Sequence, residues 1–253
     1  MGYTVNFRVS FGTRTKRVVC GAEILEAALL KIRTPEHLER FCEMGRIYRE
    51  FFQAHQGIGG YALGVAFETP VMLKPEHVEG ARVFSDREHM VKALSGPGTI
   101  GGEAGTYRGD FANYILETLL PKKFYVFDLD MQTYDVAKRF KDEIDAELVQ
   151  LIEGDSSTQL AEFPVDYFDW LYIDGDHSYE GCKKDLIQAA RTVKPGGLIF
   201  VNDYIFFSHV EGAPFGVIHA VNEICHEFDA EIAGFSLQPQ MYCDVAIRLP
   251  VSS

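Results

Sequence analysis

From residue 99 onward the chain repeats one unit, a short apolar run followed by a stretch of helical spacing, and this repetition restricts the fold more than any other feature. The runs at 124–127, 170–173 and 198–201 are apolar on both faces, not alternating, and 148–152 is interrupted only by Gln150. Such strands must be covered on both sides, which is the situation of a parallel sheet with helices on each face. Phe111, Ile115 and Leu119, then Val136, Phe140 and Ile144, then residues 182–193 supply the helical faces between them, with Pro195-Gly196-Gly197 closing the last. The fold class read from this pattern is α/β.

The first sixty residues read differently. Val5, Phe7, Val9 and Phe11 alternate with Asn6, Arg8 and Ser10, the pattern of a half-buried strand, and Gly12-Thr13 turns the chain into a second strand ending at Val18-Val19. A helix is expected over 22–32. Another starts at Thr34, a good N-cap, with Pro35 at its first position and Glu36 in its first turn. Leu38, Phe41, Cys42, Tyr48, Phe51 and Phe52 then form an apolar stripe, read as core or dimer packing and the basis for expecting a homo-oligomer. The run QGIGG at 56–60 reads as a hinge. Residues 1–57 are therefore set apart as an N-terminal extension, a hairpin plus helices serving as lid or dimer contact, and 58–253 as the main domain. Ser85 to Glu88 has the spacing of a capping box in front of Met90, Val91 and Leu94, so a short helix is expected there.

Charge and cysteine usage narrow the function classes. Against 24 Lys plus Arg stand 37 Asp plus Glu, a net charge of -13. Nucleic-acid binding draws on clustered Lys and Arg, so a polyanionic partner is disfavoured, although a nucleotide-like ligand in one pocket is not. Cys20, Cys42, Cys182, Cys225 and Cys243 include no C-x-x-C pair, and we read them as reduced thiols. No signal-peptide h-region opens the sequence, and no apolar run reaches the roughly 18 residues of a membrane span. A cytoplasmic protein with no membrane partner is the expectation.

In an open parallel sheet, ligands bind beyond the carboxyl ends of the strands. Those ends read GGEAGTYRG (101–109), Phe127-Asp128, Glu153-Gly154-Asp155-Ser156, Asp174-Gly175-Asp176-His177 and Asn202-Asp203-Tyr204, and every one carries an acid. Carboxylates gathered at one rim repel one another unless a cation, an amine or ribose hydroxyls are bound among them. The glycine spacing is neither the G-x-G-x-x-G of dinucleotide sites nor that of phosphate loops. Glu103, read as part of this loop, would repel a pyrophosphate and suit a cationic ligand. A glycine loop alone is equally compatible with a plain turn. Asp128, at the end of the next strand, is placed to accept ribose hydroxyls.

The segments EAGTYRGDFANYILE, FYVFDLD, IEGDSS, YIDGDHSYEGCKKDL, VKPGGLIFVNDY and FGVIHAVNEI together resemble the class I S-adenosylmethionine-dependent methyltransferases, in particular a bacterial group with a DGDHSYE segment similar to metal-dependent small-molecule O-methyltransferases. The resemblance covers about residues 85–225. It implies a doubly wound Rossmann-like fold with a seven-stranded, mostly parallel sheet of order 3-2-1-4-5-7-6, closed by antiparallel strands at 230–235 and 243–249. It also implies a cofactor site: Glu103, Gly105, Tyr107 and Gly109 around the methionine end, Asp128 at the ribose, Asp155 and Ser156 at the adenine, and Asp174 on the methionine side.

Two devices are open for taking the acceptor's proton. His177 titrates near neutral pH and would serve as general base. Alternatively Asp174, Asn202 and Asp203 would hold Mg²⁺, a set the resemblance favours, although catechol-type enzymes carry Asp-Asn where this chain has Asn202-Asp203. A capping role for His177 and aromatic packing for Tyr179 and Tyr204 are the plain structural alternatives. His209 is assigned to an acceptor loop and His219 to the core. The expected activity is O-methylation of a small hydroxylated metabolite. The other classes kept open are an NAD-dependent oxidoreductase, opposed by the glycine spacing, and a non-catalytic cofactor-binding or assembly module.

Overall fold

The computed structural model describes residues 4–11, 14–21, 39, 40, 42, 43, 45–47, 50, 69–208, 210, 211 and 213–251, the first two segments by backbone alone. The chain divides into two compact units, Met1–Ala62 and Leu63–Ser253. In the first, β1 (Thr4–Phe11) and β2 (Arg14–Gly21) pair antiparallel, from Thr4 opposite Gly21 to Phe11 opposite Arg14. This is the hairpin that the alternation predicts. Residues 39, 40, 42, 43, 45–47 and 50 are helical, and Arg46 pairs with Glu43 and Glu50 one turn to either side. The predicted helix at 22–32, the hinge at 56–60, His209 and, Cys42 apart, the apolar stripe lie outside the described residues.

The second unit runs β3 (Arg82–Phe84), α1 (Arg87–Leu94), β4 (Ile100–Ala104), α2 (Asp110–Leu119), β5 (Lys123–Asp128), α3 (Val136–Arg139), α4 (Lys141–Asp145), β6 (Val149–Glu153), α5 (Ser156–Ala161), β7 (Phe168–Ile173), α6 (Tyr179–Thr192), β8 (Val193–Val201), β9 (Phe207–Ser208), β10 (Ala213–Pro214), α7 (Val217–Glu227), β11 (Glu231–Ser236) and β12 (Asp244–Arg248). Eight strands form one sheet in the order β3-β11-β12-β8-β7-β4-β5-β6. Strands β4 to β8 are mutually parallel, and β12 runs antiparallel to both β8 and β11. Read from β6 to β11 this is the expected 3-2-1-4-5-7-6 order. The expected seven strands become eight because β3 adds in parallel to β11 at the edge. Three residues, Arg82-Val83-Phe84, are too few for any periodicity to announce them.

Side chains of β7 alternate between two apolar cores, one on each face of the sheet. Leu171 and Ile173 pack with Leu186 of α6 and Val221 of α7, while Trp170 and Tyr172 pack with Met90 of α1 and Ile115 of α2. Gly101 is where it is because a Cβ there would stand 2.1 Å from the Trp170 ring.

Local chemistry shifts several boundaries. Asp86, not Ser85, caps α1, its carboxylate accepting from His89 N at 2.8 Å. Phe140 interrupts the predicted helix through 136–144, leaving α3 and α4. Pro195-Gly196-Gly197 does not close α6 but lies inside β8, where Gly197 O accepts from Leu249 N at 3.1 Å. Cys182, Cys225 and Cys243 are buried thiols in no disulfide. Among the described residues no helix is long and apolar enough to cross a membrane.

Candidate functional site

Strand order reverses at β4, whose neighbours β5 and β7 lead away in opposite directions, and a crevice opens at such a switch point. Backbone bonds carry the strand ends into it: Gly105 N donates to Phe127 O at 2.8 Å, Asp174 N to Ala104 O at 2.7 Å and Asn202 N to Ile173 O at 2.9 Å. The resulting cleft of about 1120 Å³ is lined by Glu103, Asp128, Asp155, Asp174 and Asp203, the five acids at the ends of five strands, and by Gly105, Tyr107, Ser156, His177 and Asn202. Of the predicted site residues only Gly109 is not in the lining. It caps α2 with φ 75°, and a Cβ on it would meet the Phe140 ring at 2.8 Å.

The glycine segment is less of a loop than expected. Glu103 belongs to β4 and is 1% exposed, so the turn begins only at Gly105. Gly105 adopts φ +87°, and a Cβ on it would fall 1.9 Å from Asp174 O, so both backbone conformation and close approach demand glycine. Glu103 Oε2 has no hydrogen-bond partner among the described residues. Burial raises its carboxyl to about 7, against the Thr106 hydroxyl beside it and the weaker pull of Arg87. Asp128 pins the turn by accepting from Tyr107 N at 2.8 Å. Asp155 caps α5, taking Thr158 N at 2.8 Å on Oδ1, and hydrogen bonds from the Thr158 and Ser157 side chains hold its carboxyl below the usual range.

At the ends of β7 and β8 the expected metal ligands converge on an imidazole. His177 Nε2 stands 3.3 Å from Asn202 Oδ1, 3.6 Å from Asp174 Oδ1 and 3.7 Å from Asp203 Oδ2. The ring itself stacks on Phe215, centroids 4.6 Å apart and planes at 14°. The place where three oxygens would hold a cation is thus taken by the imidazole nitrogen. Among the described residues no group of three or more His, Cys, Asp and Glu is arranged to hold a metal ion. In this arrangement the oxygens of the expected Mg²⁺ set face His177 Nε2.

Behind Asn202 lies Asp244 on β12, fully buried, which sequence reasoning missed. It accepts from Tyr172 Oη at 2.6 Å, from Asn202 Nδ2 at 3.1 Å and from Asp203 N at 3.4 Å. Because a carboxylate takes the amide NH₂ of Asn202, the amide oxygen is left to face His177. A carbonyl accepts, so the hydrogen-bond network assigns the neutral ring's proton to Nε2 and leaves Nδ1 as the basic nitrogen. Burial lowers the His177 pKa and raises Asp203 and Asp244 to about 6 and Asp174 well above its ordinary value. The signal for Asp244 was present as an acid inside the apolar run of 243–247. Arg87, also in the lining, was read only as part of a helix start.

The plain alternatives hold elsewhere. Tyr179 Oη donates to Glu223 at 2.7 Å and Tyr204 Oη to Asn222 at 2.7 Å, tying both rings to α7, and His219 is buried on that helix. Ser178, not His177, caps α6.

Comparison with known proteins agrees with this architecture. A family model described as a methyltransferase domain matches residues 103–204, the stretch from Glu103 to Tyr204 that builds the cleft. No curated protein matches the sequence. Among solved structures, a putative rRNA-methylase from Clostridium thermocellum is similar with TM-score 0.51 and 16% identity, over 66% of this chain and 94% of that one. An O-methyltransferase family protein from Burkholderia thailandensis gives TM-score 0.50 and 12% identity, over 66% of this chain and 57% of that one. The [4+2]-cyclase SpnF gives TM-score 0.50 and 12% identity, over 65% of this chain and 81% of that one. The chain spans little more than half of the Burkholderia protein. At these identities the likeness shows the fold, and the three proteins are named for different chemistries on it. The family match covers the segment that builds the cleft, and the solved structures share its Rossmann-like fold.

Proposed function

We propose that the chain transfers the methyl group of S-adenosylmethionine to a hydroxyl of a small acceptor, with His177 as general base. The observation that carries this reading is the setting of His177, stacked on Phe215 with Nε2 among three oxygens. A ring held in this way is oriented, and burial lowers its pKa, which favours the neutral form a base needs. The fit to the cofactor rests on the orphaned Glu103 Oε2 and on the close approach at Gly105. On this reading Glu103, Gly105, Tyr107 and Asp174 hold the methionine side, Asp128 the ribose, and Asp155 and Ser156 the adenine, while Gly109 only caps α2 behind them. The bound sulfonium supplies an electrophilic methyl group. What the chain adds is alignment of the acceptor oxygen and removal of its proton. No step is routed through Mg²⁺, since Asn202 is committed to Asp244 and His177. The acid excess favours a small acceptor over nucleic acid. Residues 1–57 are, on the sequence reading, an extension separate from the 58–253 domain.

The test is transfer from radiolabelled S-adenosylmethionine to a panel of hydroxylated metabolites after EDTA treatment. Transfer should persist, fall about 10²–10⁴-fold in His177→Ala, the range for loss of a positioned base, and rise with pH along a limb below 6.5, because burial lowers the His177 pKa. Transfer only to RNA or protein, or activity abolished by EDTA and unchanged in His177→Ala, would overturn the proposal.

A further inference from the structure

Glu211 reaches the cleft from outside the large sheet, on the turn of the short hairpin that β9 and β10 make. Both ends of that hairpin are tied down. At its base Phe215 N donates to Phe206 O at 3.0 Å, the Phe215 ring lies on the His177 imidazole, and Gly216 N donates to His177 O at 2.9 Å. At its turn two hydroxyls meet. Tyr242 Oη, from the connection between β11 and β12, accepts from Val210 N at 3.1 Å and stands 3.0 Å from Ser208 Oγ. Ser208 Oγ in turn accepts from Glu211 N at 3.1 Å, and Ser208 is buried, where such a network holds its members most firmly.

The hydroxyl pair thus fixes the backbone from which the Glu211 side chain springs, while the other end of the same hairpin fixes the His177 ring. Acid and imidazole belong to one braced piece of chain. The charge of Glu211 is felt at both His177 and Asp203. A carboxylate accepts hydrogen bonds and does not donate, so beside a base that takes the proton of one hydroxyl it can serve a second donor of the same molecule. An anionic group in that place would be repelled by Asp174, Asp203 and Glu211 together.

We infer that Glu211 is a specificity-determining residue for the acceptor, accepting from a hydroxyl or ammonium that flanks the methylated hydroxyl, and that Tyr242 is its positioning residue; the inference rests on the acceptor reading above. Tyr242 is not in the cleft lining and acts through Glu211.

Matched trios added to the metabolite panel test this: glucosamine, glucose and its 2-deoxy analogue, and trans-2-aminocyclohexanol, the matching trans diol and cyclohexanol. The last member of each trio lacks the flanking donor. With radiolabelled S-adenosylmethionine, the native protein should favour a donor-bearing member over the last by about tenfold or more in kcat/KM, chiefly through KM, as expected of a hydrogen bond to a charged group. Which member is favoured tells whether the donor is an ammonium or a hydroxyl. Glu211→Ala should bring the ratio to within about twofold of one, Tyr242→Phe should lower it by about threefold or more, and the double variant should fall no further than Glu211→Ala alone. Calorimetry with S-adenosylhomocysteine reports that each variant is folded. Should Tyr242→Phe lose that binding, Ser208→Ala unties the same turn and carries the comparison. A native ratio near one, a ratio left standing in Glu211→Ala, or additive losses in the double variant would overturn the inference. Transfer to no member of the panel by protein that binds S-adenosylhomocysteine would instead bring down the acceptor reading on which it rests.

Discussion

Asp244 controls its neighbours without touching the cleft. By taking the Asn202 amide NH₂ it turns the amide oxygen toward His177, and so decides which imidazole nitrogen is basic. Above about pH 6 Asp244 is a carboxylate and can only accept. Asp244→Asn gives Asn202 a partner that can also donate, so its amide becomes free to flip. In ¹⁵N spectra near about pH 8, where a histidine of ordinary pKa is neutral, we expect the native His177 ring to carry its proton on Nε2 and the variant to show a mixture of tautomers. A native ring protonated on Nδ1, or an unchanged tautomer in Asp244→Asn, would contradict this assignment. At this scale the sequence was legible only in part. The acids after each strand were visible because their place follows from strand ends alone. The partners that set their behaviour were not, because Asp244 is 70 positions from Asp174 and meets it only through the β12–β8 pairing.

The elements were legible for a different reason. Runs such as 124–127 and 198–201 are apolar on both faces, and only a central parallel strand makes use of that. The alternation in residues 4–11 likewise identified a hairpin. What failed were features set by contacts across the fold. β3 exists because β11 offers it an edge, and Glu103 sits in β4 because the pairing of β4 with β5 and β7 extends past the glycines to Ala104. Gly101 shows how tightly that pairing is packed. Gly101→Ala should destabilise the domain by about 1–3 kcal/mol, the usual cost of overpacking a close-packed core, measured by urea unfolding. Combined with Trp170→Leu, which vacates the space that the new methyl needs, the two losses should be less than additive. Strict additivity would mean that the methyl does not meet Trp170.

Across the whole molecule, the acid excess takes on a defined place. Five of the 37 acids lie at the ends of five strands and face one cleft, four of them around His177 and Arg87 or at the turn beneath them. Such a concentration of carboxylates disfavours an anionic dinucleotide and favours a cationic nucleoside ligand, so the account's central claim is about which cofactor enters this cleft. The fold alone does not decide that, since proteins of quite different chemistry share it. Calorimetric titration of the native protein with S-adenosylmethionine, S-adenosylhomocysteine and NAD decides it directly. Saturable binding of both sulfur compounds and no heat with NAD is the predicted result; binding of NAD with neither sulfur compound would contradict the account.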